Sequence, residues 1–220
     1  MLQFYVGASF LKEKFNIFLC YLFTFMKKVY NIENRRDYML NKHQFQLLLN
    51  LKNKTEKTNQ RLIAEEIGFS LGTVNKLIQD AEEKKWITSE YELTENGFKA
   101  LEPYRVENAI IMAAGMSTRF APLSYETPKG LLVVKGERLI EREIKQLREA
   151  GIQKITVVIG YMKEKMFYLA DKFGVEIVVN EDYYRYNNCS SLMLVRKQLG
   201  NTYICSSDNY FVENPFEEYV

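Results

Sequence analysis

A chain of 220 residues with 47% hydrophobic content can bury one large core or two small ones, which excludes a disordered polypeptide. Thirty Lys and Arg against twenty-eight Asp and Glu leave a formal charge of only +2, so bulk electrostatics argue against a nucleic-acid or membrane-surface protein, and any such contact must be local. Cys20, Cys189 and Cys205 are odd in number, far apart and without metal-ligand spacing, which excludes a disulfide framework or zinc site and points to a reducing, cytoplasmic setting.

Phe15 to Met26 (FNIFLCYLFTFM) is an unbroken apolar run preceded by Lys12, Glu13 and Lys14. A spanning helix needs roughly 20 apolar residues, so residues 1–38 read as an extension outside the folds, ahead of a soluble-looking start at Met39. A membrane tether through Phe15 to Met26 is the competing reading. From Lys42, Phe45, Leu48 and Leu49 recur at helical spacing up to the polar break at Asn53 to Asn59. Arg61 to Ile67 forms a second helix, with Leu62, Ile63 and Ile67 as its apolar positions. Gly68-Phe69-Ser70 is a tight turn whose serine caps a third helix, on which Val74, Leu77, Ile78 and Ala81 form the stripe. Two helices joined by a short glycine turn make a helix-turn-helix. Trp86-Ile87-Thr88 and Tyr91-Glu92-Leu93 then read as a small wing, and Thr94 to Gly97 starts another helix.

The stretch YELTENGFKAL resembles the wing and following helix of MarR-like winged-helix proteins, over residues 41–101. The resemblance implies a DNA-contacting helix with Ser70, Thr73, Asn75, Lys76 and Gln79 as candidates. Few cations precede Lys84 and Lys85, whereas DNA affinity depends on phosphate neutralisation, so a protein-interaction or dimerisation role stands beside DNA binding. Winged helices of this type often dimerise, which places a homodimer among the expected partners.

Residues 102–107, containing Pro103, read as a linker. The pattern beyond it alternates strands and helices, as expected for an open, mainly parallel sheet. Strands are expected at Ala109 to Ala113, Lys154 to Ile159, Val175 to Val179 and Thr202 to Cys205. Helices are expected at Glu137 to Ala150, Lys163 to Phe173 and Ser190 to Leu199. The first strand runs directly into Ala113-Ala114-Gly115-Met116-Ser117-Thr118-Arg119, followed by Thr127-Pro128-Lys129-Gly130. Small residues at a strand end let the backbone approach a triphosphate, and Arg119 and Lys129 supply fixed positive charge where pyrophosphate would depart. Neither a P-loop nor a GxGxxG dinucleotide fingerprint is present.

The stretch AAGMSTRFAPLSYETPKGLL resembles the signature of the nucleotidyltransferases that make nucleotide-sugars and activated alcohols. With VVIGYMKEKMFYL, VVNEDYYRYNNCSSLMLVRKQL and SSDNYF it resembles the bacterial choline-phosphate cytidylyltransferases, from about Asn108 to Phe216. The resemblance implies an α/β fold: a Rossmann-like, mainly parallel sheet at 108–220, C-terminally short, preceded by a small winged helix-turn-helix domain. It implies nucleotide contacts from Ala113, Ala114, Gly115, Met116, Ser117, Gly160, Tyr161 and Asn180, and acceptor contacts from Asn188 and Ser190. Lys129 and Arg119 become the catalytic cations, and Asp208 the Mg²⁺ ligand, a hard oxygen donor of the kind magnesium prefers. Ser117 departs from the pattern, standing where many members have a second glycine.

The implied reaction is attack of phosphocholine or a similar phospho-alcohol on the α-phosphate of CTP. A sugar phosphate with another nucleoside triphosphate is an alternative pair, and a nucleotide-sensing transcriptional regulator is the reading from another class. Complete relatives continue well past NPFEEYV, so a truncated domain lacking a second metal carboxylate is expected. Tyr183, Tyr184 and Tyr186 are read as packing rather than as a cage for a quaternary ammonium. His43 has no catalytic partner nearby in sequence.

Overall fold

The computed structural model describes residues 39–54, 57–118, 121–185 and 187–220. The N-terminal extension with its apolar run, the candidate Arg119, and Tyr186 lie outside the described residues. The chain divides between Pro103 and Tyr104 into two compact units. Among the described residues no helix is long and apolar enough to cross a membrane.

The first unit is built from short, well-capped helices. Helix α1 (Lys42–Lys52) starts at Asn41, whose side chain accepts from the Gln44 N–H while the Gln44 side chain accepts from the Asn41 N–H, a reciprocal capping box. Helix α2 (Gln60–Ile67) starts at Asn59 and stops at Gly68, which takes the left-handed conformation at φ 72° that glycine adopts without steric cost. Helix α3 (Leu71–Glu83) starts at Ser70, as expected, and buries Val74, Ile78 and Ala81. The expected apolar position Leu62 is instead 43% exposed, because Ile63 and Ala64 form the buried side of α2. The wing is smaller than expected: only the Ile87–Leu93 pair forms a bridge, and Tyr91 N–H turns back to the Thr88 carbonyl. Thr94 caps helix α4 (Glu95–Leu101).

The second unit is an α/β sheet. Strands β1 (Asn108–Ala113), β4 (Ile155–Ile159), β5 (Glu176–Val179) and β6 (Thr202–Ser206) are all parallel, in the order β5-β4-β1-β6. Between β1 and β4 lie a two-residue hairpin, β2 (Val133–Val134) with β3 (Glu137–Arg138), and helix α5 (Leu139–Glu149). Helices α6 (Tyr168–Phe173) and α7 (Asn187–Leu194) complete the unit.

β1 and β4 are almost wholly buried, which explains why both read as continuous apolar runs rather than alternating ones. Ile111, Val157 and Ile159 pack against Ile140, Ile144 and Leu147 of α5 in the main core. The chain steps from β1 to β4 to β5 on one side and then returns to β6 on the other side of β1. Loops leaving β1 in such an order diverge and open a crevice at the carboxyl ends of the strands.

Three helix boundaries differ from expectation. Glu137 and Arg138 belong to the hairpin, so α5 begins only at Leu139. The expected helix at Lys163 to Phe173 opens as a single 3₁₀ turn after Met162, at φ 51°, and becomes α-helical only at Tyr168. The helix expected at Ser190 to Leu199 starts earlier, at Asn187, and gives way to a 3₁₀ turn at Arg196–Gln198. Residues 104–107 pack with the sheet: Val106 is buried and its N–H donates to the Glu218 carbonyl at 2.8 Å.

Candidate active site

Because the four strands are parallel, the segments after β1, β4, β5 and β6 all emerge on one edge of the sheet. Ala113 ends β1, and the Ala114 carbonyl accepts from the Tyr161 N–H beyond β4 at 3.1 Å. A side chain at Gly160 would meet the Ala114 carbonyl at 2.8 Å and the Tyr183 Cβ at 2.8 Å, so glycine there permits the close approach of the two strand-end loops. Gly115 faces open space, Met116 is exposed, and Ser117 adopts φ 51°. That left-handed conformation is what the family's glycine would adopt without strain, and in serine it costs on the order of 1 kcal/mol.

Pro128 leads into a 3₁₀ turn, Lys129–Leu131, that aims Lys129 at the end of β6. Gly130 lies against Ser207, whose Cβ, carbonyl and hydroxyl are 3.0–3.1 Å from where a Cβ would stand. This contact brings the Lys129 ammonium onto the Asp208 carboxylate, joining residues 79 apart in sequence as a hydrogen-bonded ion pair. The Ser206 hydroxyl donates to the other Asp208 oxygen. Burial pushes the Asp208 carboxyl upward, but the bonds from Lys129 and Ser206 outweigh it and hold the group below its ordinary 3.8.

Asn180, expected to contact the nucleotide, makes hydrogen bonds within the protein. It is 2% exposed, both its amide hydrogens go to Ser190 and Ser191 of α7 at 2.8 and 2.9 Å, and its carbonyl accepts from the Asp182 N–H. Its side chain pins α7 to the end of β5. Asn188 is exposed on the first turn of α7 and Ser190 is half-buried. Tyr161, Tyr183 and Tyr184 follow one another with ring centroids 6.3 and 5.7 Å apart, tilted and edge-on, a packed row rather than a box around a cation.

In the winged-helix unit, Ser70 is occupied as the α3 cap, bonded to the Thr73 N–H and hydroxyl. Asn75, Lys76 and Gln79 are exposed. His43 packs edge-on against Phe69 at 4.5 Å. Cys189 and Cys205 are free thiols, and Cys20 lies outside the described residues.

Among the described residues no three His, Cys, Asp or Glu side chains gather into a metal cage. One carboxylate with a neighbouring hydroxyl still suits a hard cation carried in with a triphosphate, because magnesium is commonly held by one or two carboxylates plus substrate phosphates. Sequence reasoning missed Ser206 and Gly130, and it missed a buried acid on α5, Glu143. The signal for the last was present: Glu143 lies three residues after Ile140 and four before Leu147, on the helix face already assigned to the core.

Residues 109–215 match the model of the MobA-like NTP transferase domain, and residues 46–115 match that of a domain described as wHTH-PRTase associated. A choline-phosphate cytidylyltransferase from Streptococcus pneumoniae is 46% identical over 108 residues, 49% of this chain and 47% of that protein. A 2-aminoethylphosphonate cytidylyltransferase from Lancefieldella rimae is 46% identical over 104 residues, 46% of this chain and 42% of that protein. The solved structure of the CTP:phosphocholine cytidylyltransferase from Streptococcus pneumoniae superposes with a TM-score of 0.50 at 46% identity, covering 52% of this chain and 50% of that one. The chain thus spans about half the length of these relatives. Its α/β half is similar to nucleotidyltransferase domains, and the segment before it to a winged-helix-associated domain.

Proposed function

We propose that the MobA-like NTP transferase domain of this chain transfers a cytidylyl group from CTP to phosphocholine or a similar small phospho-alcohol, releasing pyrophosphate. The observation that carries this reading is the meeting of Lys129 and Asp208 at the carboxyl edge of the sheet, beside the small-residue turn Ala113 to Ser117. The cytidylyltransferases among its relatives supply the nucleotide and the acceptor class.

In this reading a phosphate oxygen of the acceptor attacks the α-phosphorus of CTP. The new P–O bond forms as the bond to the β-phosphate oxygen breaks, and pyrophosphate carries away the electron pair. The backbone of Ala113 to Ser117 and of Gly160-Tyr161 lines the triphosphate and base, and Asn188 and Ser190 at the start of α7 stand on the acceptor side. Lys129 supplies positive charge where negative charge accumulates on the leaving group, together with Arg119. Asp208 would hold a divalent cation such as Mg²⁺, which when bound supplies charge neutralisation at the phosphates. Positioning and charge account for the chemistry, with no covalent enzyme intermediate.

Pyrophosphate release tests this with CTP, Mg²⁺ and phosphocholine, against 2-aminoethylphosphonate, sugar phosphates and the other nucleoside triphosphates. Turnover selective for CTP that falls by about 10²–10³ in Lys129→Ala is expected. Absence of release with every pair would overturn the assignment.

A further inference from the structure

Glu143 is 1% exposed on α5, among Ile140, Ile144 and Leu147, and neither of its carboxyl oxygens has a hydrogen-bond partner. The side-chain nitrogen of Asn209 is likewise buried and unsatisfied. The two groups are complementary: the Asn209 amide lies close enough to favour the ionised acid, though outside good hydrogen-bond geometry. Burial, the largest influence, and the Asp208 charge push the Glu143 carboxyl well above its ordinary 4.5. A leucine would fill the same slot without burying two carboxyl oxygens, so packing alone does not ask for an acid here.

The same stretch of α5 grips the chain that follows Asp208. Arg142 donates to the carbonyls of Phe211 and Val212, each at 2.9 Å, and Gln146 donates to Phe211 at 3.2 Å. Asn214 returns a bond to the Gln146 carbonyl at 2.7 Å. Within the turn itself, the Asn209 N–H donates to the Ser206 carbonyl at 3.3 Å. Residues 211–214 are therefore held from one side by polar side chains of α5, and Glu143, the most buried polar side chain on that helix, lies within electrostatic reach of Asp208.

We propose that Glu143 is a positioning residue for Asp208: by pairing with the Asn209 amide it fixes the 206–209 turn, so that the Asp208 carboxylate is presented at the strand end toward Lys129. The proposal rests on the nucleotidyl-transfer reading only for its catalytic consequence; the fixing of the turn stands apart from it.

The test uses the full chain with Glu143→Leu, Glu143→Gln and Asn209→Ala. Hydrogen exchange of residues 205–211 is followed with β1 and β4 as internal references, beside melting temperature and pyrophosphate release from CTP and phosphocholine. In Glu143→Leu the melting temperature stays level or rises, exchange in 205–211 rises about tenfold and that of β1 and β4 does not move. In the same variant kcat falls about tenfold while KM for CTP stays within about twofold, the signature of lost transition-state positioning. Asn209→Ala reproduces this pattern, and Glu143→Gln, whose carboxamide can still pair with Asn209, restores both exchange and kcat. The proposal is overturned if exchange in 205–211 is the same in all variants, if kcat is unchanged in an active Glu143→Leu, or if Glu143→Gln is as impaired as Glu143→Leu. Should Glu143→Leu fail to fold, the Asn209→Ala and Glu143→Gln pair decides by the same criteria. A wild-type chain that releases no pyrophosphate yet shows the exchange pattern sinks the activity reading and leaves the turn assignment standing.

Discussion

The helices of the winged-helix unit and those of the α/β unit begin in different ways. Asn41, Asn59, Ser70 and Thr94 each cap their own helix with a side-chain oxygen. Arg138 and Phe167, at the same position before α5 and α6, make no such bond. Those two helices are instead tied to each other: Glu141 on α5 accepts from Tyr168 and Lys172 on α6 at 2.7 Å each, and from Arg138 at 3.2 Å. Local sequence caps the helix starts in the first unit, whereas in the second α5 and α6 start without a side-chain cap and are tied to each other by side chains. Boundaries that depend on a distant partner cannot be read from the residues beside them.

Substitutions at five positions would break or sharpen this contrast. The largest effect is expected at Gly97, where any side chain collides with the Trp86 carbonyl and the Leu93 side chain. Gly97→Ala should cost about 3 kcal/mol and raise hydrogen exchange across α4 and the wing. A melting curve matching wild type would show that α4 does not depend on its close approach to the wing.

Next, Glu141→Ala strands Tyr168 and Lys172 and should cost about 2 kcal/mol, read by denaturant unfolding of the α/β unit. Burial raises the Glu141 carboxyl, but the bonds from Lys172, Tyr168 and Arg138 prevail and keep it below its ordinary 4.5. Its contribution is therefore present above pH 4.5 and lost as pH falls through the lowered value. The stability gap between wild type and Glu141→Gln should narrow as pH falls below 4.5, and a gap constant from pH 3 to 7 would contradict the network.

Ser70→Ala removes a cap and should cost about 1 kcal/mol with fraying of α3, whereas Arg138→Ala, at an uncapped position, should leave the start of α5 unfrayed in hydrogen exchange. Least of all, Lys99→Ala breaks an exposed pair with Glu95 and should leave the unfolding midpoint indistinguishable from wild type.

The contrast also explains what was legible in the sequence. The Gly68 stop and the Ser70 start were readable because both act locally, Gly68 through its left-handed backbone and Ser70 through its hydroxyl on the Thr73 N–H. The strands β1 and β4 were readable because burial on both faces leaves continuous apolar runs. The hairpin at Val133–Arg138 was not, since two-residue strands carry no period. The start of α6 was hidden because nothing in Lys163 to Phe167 announces the left-handed Met162. Of the candidate site, Lys129 and Asp208, assigned separate roles from a resemblance, meet in the structure as an ion pair, while Arg119 lies outside the described residues. The hydrogen bonds of Asn180 to α7 could not be foreseen, because a buried asparagine and a ligand-facing one look alike in sequence. Only the positions of Ser190 and Ser191 show that its amide is already taken.

The Lys129–Asp208 pair has a kinetic consequence. Each group is the other's counter-ion, so together they present almost no field to an approaching polyanion, and long-range attraction contributes little to capture. Phosphate competes with Asp208 for the Lys129 ammonium, which makes binding a rearrangement of partners at short range. The association rate should then vary only weakly with ionic strength, and Asp208→Asn should steepen that dependence by removing the negative charge set against the ammonium.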